Sequence, residues 1–135
     1  MVKIVVDSYA WIELFLGSAK GCKVKEILEN ADEICTPDIV LAEIARKYIR
    51  EGVDERMVNK RLEQMMGASN ITCLDAKLAL QSAKCFLELA ENAKKTKLNT
   101  PSLFDAIVLA TGKRLEAFVL TGDEHFKFLP ETIWI

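Results

Sequence analysis

Two rhythms of hydrophobic and polar positions run along this chain: short β-branched runs, and longer stretches whose apolar residues recur every three to four positions. Val2-Lys3-Ile4-Val5-Val6 is too short for a helix and nearly all apolar, the pattern of a strand buried on both faces of a parallel sheet. It ends at Asp7-Ser8, and AWIELFLG then predicts a short helix stopped at Gly17. Ser18 is placed to cap a second helix through Asn30, and Glu33–Thr36 predicts a second strand. Thr36-Pro37 predicts a cap followed by proline at the first helical position. That helix carries apolar Ile39, Val40, Ala42, Ile44, Ala45, Tyr48 and Ile49 and closes at Gly52.

Asp54 predicts the cap of the next helix, with Val58, Leu62, Met65 and Met66 on one stripe. Asn70–Leu74 predicts a third strand, Asp75 opens a long helix through Ala93, and Lys94–Lys97 is a polar break. Pro101-Ser102 opens a helix ending near Gly112. Ala117–Leu120 predicts a fourth strand, stopping at Thr121-Gly122-Asp123, and Thr132–Ile135 a fifth. Strands alternating with helices imply right-handed crossovers and an α/β fold of three layers, a mostly parallel central sheet with helices on both faces. No Pro/Gly/Ser-rich linker, repeat or low-complexity block interrupts the 135 residues, so a single domain spanning 1–135 is expected.

Charge changes the picture by exclusion. With 18 basic and 20 acidic residues the net charge is −2, which excludes nucleic-acid binding through bulk positive charge. No apolar run approaches the roughly 20 residues of a membrane span. The opening MVKIVVD has none of the parts of a secretory signal. Cys22, Cys35, Cys73 and Cys85 form no CxxC pair, and with one histidine they make no usual zinc set. They are expected to be reduced, mostly buried thiols in a cytoplasmic protein.

In parallel sheets the functional crevice lies beyond the carboxyl ends of the strands. Asp7 and Asp123 follow two such ends; Glu43 lies about two turns into the helix after the second strand, and Asp105 in the first turn of the helix before the fourth. If the strands are adjacent, all four carboxylates point into one crevice, where each would raise the others' pKa. Cations relieve that repulsion, and an all-oxygen set suits Mg²⁺ or Mn²⁺, with no His or Cys expected to select zinc. Such a site favours phosphoryl chemistry, and the cation would let an acidic protein hold an anionic substrate.

The pattern resembles the PIN-domain family, specifically its single-domain VapC-like toxin ribonucleases, over essentially the whole chain. IVVDSYAW resembles the family's opening strand, with Asp7 as the first acid and Ser8 as the hydroxyl residue beside it. PDIVLAEIARKY resembles the second motif with Glu43, SLFDAIVLATGKRL the third with Asp105, and VLTGDEHF the last with Thr121 and Asp123. The resemblance implies a metal-dependent endoribonuclease, neutralised by a small antitoxin and commonly dimeric. On this reading Asp7, Asp105 and Asp123 hold Mg²⁺ or Mn²⁺ directly. Glu43 ligates a second metal or orients water, and the Ser8 and Thr121 hydroxyls support them.

Each residue also has a structural alternative. Glu43 is spaced to pair with Lys47 at i+4, and Ser102 with Asp105 makes a capping box. Asp123 would serve as a turn or cap residue, and His125 is read as packing or facing water. Arg46, Lys47 and Arg50 border the Glu43 face and are candidates for RNA phosphates, with ion pairs to Glu43 or Glu51 as the equal alternative. Trp11, Ile12, Leu14 and Phe15 are more apolar than a short helix needs; core packing is favoured, a dimer or antitoxin surface being the other use. Two other function classes share these features: a non-catalytic RNA- or protein-binding relative, and a response-regulator-like phosphoacceptor.

Overall fold

A computed structural model describes residues 1–135. Strands β1 (Lys3–Val6), β2 (Glu33–Pro37), β3 (Asn70–Thr72), β4 (Phe118–Thr121) and β5 (Thr132–Trp134) pair in the order β3-β2-β1-β4-β5. Every pairing is parallel, with Val5 opposite both Cys35 and Val119. The sheet is therefore more regular than expected, all parallel rather than mostly so. Ile4, Val5 and Val6 are fully buried, as a central strand covered on both faces requires. The strand order reverses between β1 and β4, and ligands of open α/β sheets bind at such a switch point.

Helices α1 (Ser8–Leu16), α2 (Ala19–Glu29), α3 (Asp38–Arg50), α4 (Glu55–Ala68), α5 (Ala76–Lys95) and α6 (Leu103–Leu115) complete a three-layer α/β/α fold. Helix α1 packs with α2 and α3, α3 with α4, and α5 with α6, which lies along β1, β2 and β4. Local chemistry sets most boundaries. Gly17 ends α1 in the left-handed region (φ 65°), and Ser18, Asp54 and Asp75 accept backbone N–H bonds as caps.

Several expectations are corrected. Pro37 is the N-cap of α3 and supplies no side-chain hydrogen bond, while the Thr36 hydroxyl is used elsewhere. It accepts from Trp11 Nε1 (3.2 Å) and meets Ser69 Oγ (2.7 Å), which itself donates to the Met65 carbonyl (2.8 Å). The Ser69 proton being committed, Thr36 is the donor to Ser69, and the relay joins α1, β2 and α4 under the sheet. Trp11 is thus a core residue, 2% exposed and stacked on Phe15, and is withdrawn from any interface.

Helix α6 continues past Gly112 to Leu115. A Cβ at Gly112 would lie 2.8 Å from Val119 Cγ2, so this glycine permits close packing on β4 rather than ending the helix. Met66 leaves the buried stripe of Val58 and Met65 and is 57% exposed. All four cysteines are free, but only Cys35 and Cys85 are buried. No helix is long and apolar enough to cross a membrane.

Candidate active site

Asp7 ends β1 and caps α1, so its carboxylate is fixed by two elements at once. Its Oδ1 accepts from the Ser8 N–H (2.8 Å) and its Oδ2 from the Thr121 hydroxyl (2.8 Å). The Ser8 contribution to Asp7 is thus a backbone one, in place of the expected hydroxyl contact. Thr121, at the end of β4, also accepts from the Asp123 N–H (3.0 Å) and ties the two acids together. Asp7 is 3% exposed. Burial pushes its carboxyl up to about 7; the Thr121 hydrogen bond pulls the other way, and the charges of Asp105 and Asp123 add to the rise.

Glu43, on the second turn of α3, enters the same field. Burial, then the charges of Asp7 and Asp105, push it up to about 8 against the pull of Arg46, and Asp123 adds to the rise. Its Oε1 is buried without a hydrogen-bond partner. The expected i+4 alternative fails, because Lys47 turns to Glu51 (2.7 Å).

Asp105 both caps and faces the site. Its Oδ2 accepts from the Ser102 N–H (2.9 Å), and its own N–H donates to Ser102 Oγ (3.1 Å), a complete capping box. The second oxygen is left for the crevice. Burial raises its pKa, the Ser102 bonds lower it, and Asp123 raises it.

Asp123 starts a 3₁₀ turn over Glu124–Phe126, and its Oδ1 accepts from the His125 N–H (2.9 Å). His125 Nδ1 meets that same oxygen (2.9 Å), while Nε2 meets the Asn99 carbonyl (2.7 Å). Both partners are acceptors, an arrangement that favours protons on both ring nitrogens. Burial works against that cation. The Asn99 and Asp123 hydrogen bonds and the charges of Asp123 and Asp105 outweigh it, and the pKa lies above the ordinary value. Ligand atoms of Asp105, Asp123 and His125 lie within 4.8 Å of one another. In this arrangement both ring nitrogens are engaged, and His125 holds Asp123 by one oxygen and leaves the other free. Its position was missed in the sequence, where only the Asp-x-His spacing hinted at it and the Asn99 carbonyl has no signature.

The four acids thus share one field at the carboxyl ends of β1 and β4. Of the basic candidates, Arg46 stands beside Glu43 and over the Phe104 ring (6.0 Å), lining a cleft of ≈ 280 Å³ with Ser102 and Leu103. Lys47 is held by Glu51, and Arg50 is exposed with no ion pair to the acids. The donor set fits a hard divalent cation: carboxylate oxygens in the majority, mutual repulsion, and one buried oxygen with no partner.

Residues 4–131 match the family model of the PIN domain. No curated protein matches the sequence. Among solved structures, a DNA-bound VapBC of Salmonella typhimurium aligns with a TM-score of 0.73 and 18% identity, over 100% of this chain and 98% of that one. VapC20 of Mycobacterium tuberculosis, a Sarcin-Ricin loop cleaving toxin, gives 0.71 and 18% over 91% and 92%. A toxin-antitoxin complex from Klebsiella pneumoniae gives 0.68 and 20% over 96% and 95%. At these identities the likeness is one of fold. The family match over nearly the full chain and the all-parallel sheet agree: the chain belongs to the PIN domain family.

Proposed function

We propose that this chain is an endoribonuclease dependent on Mg²⁺ or Mn²⁺, the toxin of a VapBC-type pair. The observation that carries the reading is the partnerless buried oxygen of Glu43 in a field shared with Asp7, Asp105 and Asp123. Burying that much like charge is costly unless a cation or protons neutralise it.

Asp7, Asp105 and Asp123 would hold the cation, with Glu43 as ligand of a second ion or as the group orienting water. A bound divalent cation supplies the acidity that activates water and the charge that neutralises the phosphodiester. The chain supplies position. Thr121 and the Ser8 N–H aim Asp7, the Ser102 box aims Asp105, and His125 anchors Asp123. Arg46, beside Glu43, is placed to meet a phosphate oxygen, with Lys47 and Arg50 farther along the same helix. His125 has no free ring nitrogen with which to act as a base.

The solved VapBC complexes support a small antitoxin as one partner. A second copy is the other, through exposed apolar residues such as Leu16 and Ile49 rather than Trp11; a sedimentation mass of one chain at micromolar concentration would remove it. The free, partly exposed thiols support a reducing compartment such as the cytoplasm. The central test is RNA cleavage by the purified chain: EDTA is expected to abolish it and Mg²⁺ or Mn²⁺ to restore it. Full activity of rigorously demetallated protein would overturn the reading.

A further inference from the structure

A second cleft, of ≈ 510 Å³, has Asp123 in its wall and is lined also by Tyr9, Lys20, Gly122, Glu124, His125 and Trp134. Clefts of about 300–1,000 Å³ are of ligand size. Its floor is built by a close approach: a Cβ at Gly122 would collide with Tyr9 Cε1, so only glycine lets the Tyr9 ring lie on the backbone between Thr121 and Asp123. The Tyr9 hydroxyl accepts from Lys20 Nζ (2.9 Å), and the ammonium also sits 5.2 Å from the ring centre. Beside the cleft, Lys127 Nζ lies 5.5 Å from the Trp134 ring, and Lys23 Nζ donates to the Trp134 carbonyl (3.2 Å).

Lys20, Lys23 and Lys127 come from α2 and from the turn before β5, and none has a carboxylate within ion-pair distance. Lys47, by contrast, is already neutralised by Glu51. Unpaired ammonium groups alternating with half-exposed aromatic rings are the chemistry of single-stranded nucleic acid: rings stack unpaired bases, ammoniums meet phosphates, and neither requires a sequence. A duplex hides its base faces and would gain only the ammonium contacts.

We propose that Tyr9, Lys20, Trp134 and Lys127 form a subsite for one or two unpaired nucleotides, running from the acids along the β5 edge. The subsite selects a single-stranded stretch of RNA, with a base on Trp134 and a phosphate between Lys20 and Lys127. It rests on the nuclease reading for its direction toward Asp123, but its binding is separable from cleavage.

The test uses the whole chain in EDTA and a fluorescein-labelled single-stranded RNA dodecamer, with its duplex as the comparison, followed by anisotropy. Trp134→Leu is expected to weaken single-strand binding about fivefold or more, while Trp134→Phe, which keeps a ring, holds within about twofold. Lys20→Gln and Lys127→Gln are each expected to flatten the dependence of log affinity on log salt by about 0.7. Melting temperatures within a few degrees of wild type confirm that the variants fold. Unchanged affinity in all of them overturns the subsite, even if Mg²⁺-dependent cleavage is intact, and leaves the patch to a protein partner. Equal affinity of the wild type for duplex and single strand also overturns it. Loss of binding in the variants, with no cleavage by wild type under any metal, upholds the subsite and removes the nuclease reading instead.

Discussion

The hydroxyl of Thr121 donates to Oδ2 of Asp7 at 2.8 Å, across 114 residues of sequence and between two neighbouring strands. The same hydroxyl accepts from the Asp123 N–H, so one side chain sets the relation of two acids. Thr121→Val keeps the shape and removes both bonds. Two buried polar groups then lose partners, and a stability loss of about 1–3 kcal/mol is expected in urea unfolding, with cleavage reduced as well. A variant as stable and active as wild type would show the hydroxyl to be incidental.

Asp105 separates capping from ligation. If it only starts α6, Asp105→Asn should cost at most about 1 kcal/mol and spare cleavage, since asparagine also caps. As a cation ligand it should lose at least about a hundredfold in cleavage rate, the scale of lost charge stabilisation at a reacting centre, while the metal-free protein melts no lower than wild type. Retained metal-dependent cleavage would remove Asp105 from the site.

His125 is predicted to orient Asp123 rather than bind metal. His125→Gln should cost about ten- to a hundredfold, as loss of a ligand's outer partner does, and keep the same requirement for Mg²⁺ or Mn²⁺. Asp123→Asn should cost more. Equal losses in a metal-titrated cleavage assay would make the histidine a ligand.

Metal-free protein should lose stability as pH rises from 5 to 8. Unfolded, Asp7 and Glu43 ionise near the ordinary values of 3.8 and 4.5; folded, they hold their protons to about 7 and about 8. Stability from these groups is therefore full below about 4 and falls until the folded values are passed. His125, raised in the folded state, is a base, and its contribution also fades with rising pH across the upper part of that range. Asp75 is held down to about 2 by Arg114, so its contribution is lost only as pH falls below about 4 and leaves this window untouched. Calorimetric melting in EDTA at pH 5, 6.5 and 8 should show the decline, and excess Mg²⁺ should flatten it. A flat profile in EDTA would contradict the buried charges.

The strands were legible because their signal is local. Ile4, Val5 and Val6 can be nothing but a buried strand, and the Ser102–Asp105 spacing announces its own capping box. What could not be read depends on partners far away in sequence. Thr36 looks like a cap until Trp11 and Ser69 come to it from other elements. Gly112 looks like a helix end until Val119 is seen against it. His125 looked idle because its fixing partner is the backbone of Asn99, which no residue type encodes. The acids were picked out by order, spacing and resemblance, and the use of each oxygen came only with coordinates.

The reversal of strand order between β1 and β4 puts Asp7 and Thr121 on strands locked residue to residue, Val6 beside Leu120. Asp7 is held on that frame by Thr121, which limits how far it can move to ease its repulsion with the other acids. Near neutrality Asp7 and Glu43 are pushed toward keeping their protons, and on the nuclease reading a divalent cation would have to drive those protons out. On that reading the crevice would work as an ion exchanger, in which protons and cations compete for the same oxygens. Each loading event would then acidify the medium, and its measured heat would vary with the ionisation enthalpy of the buffer.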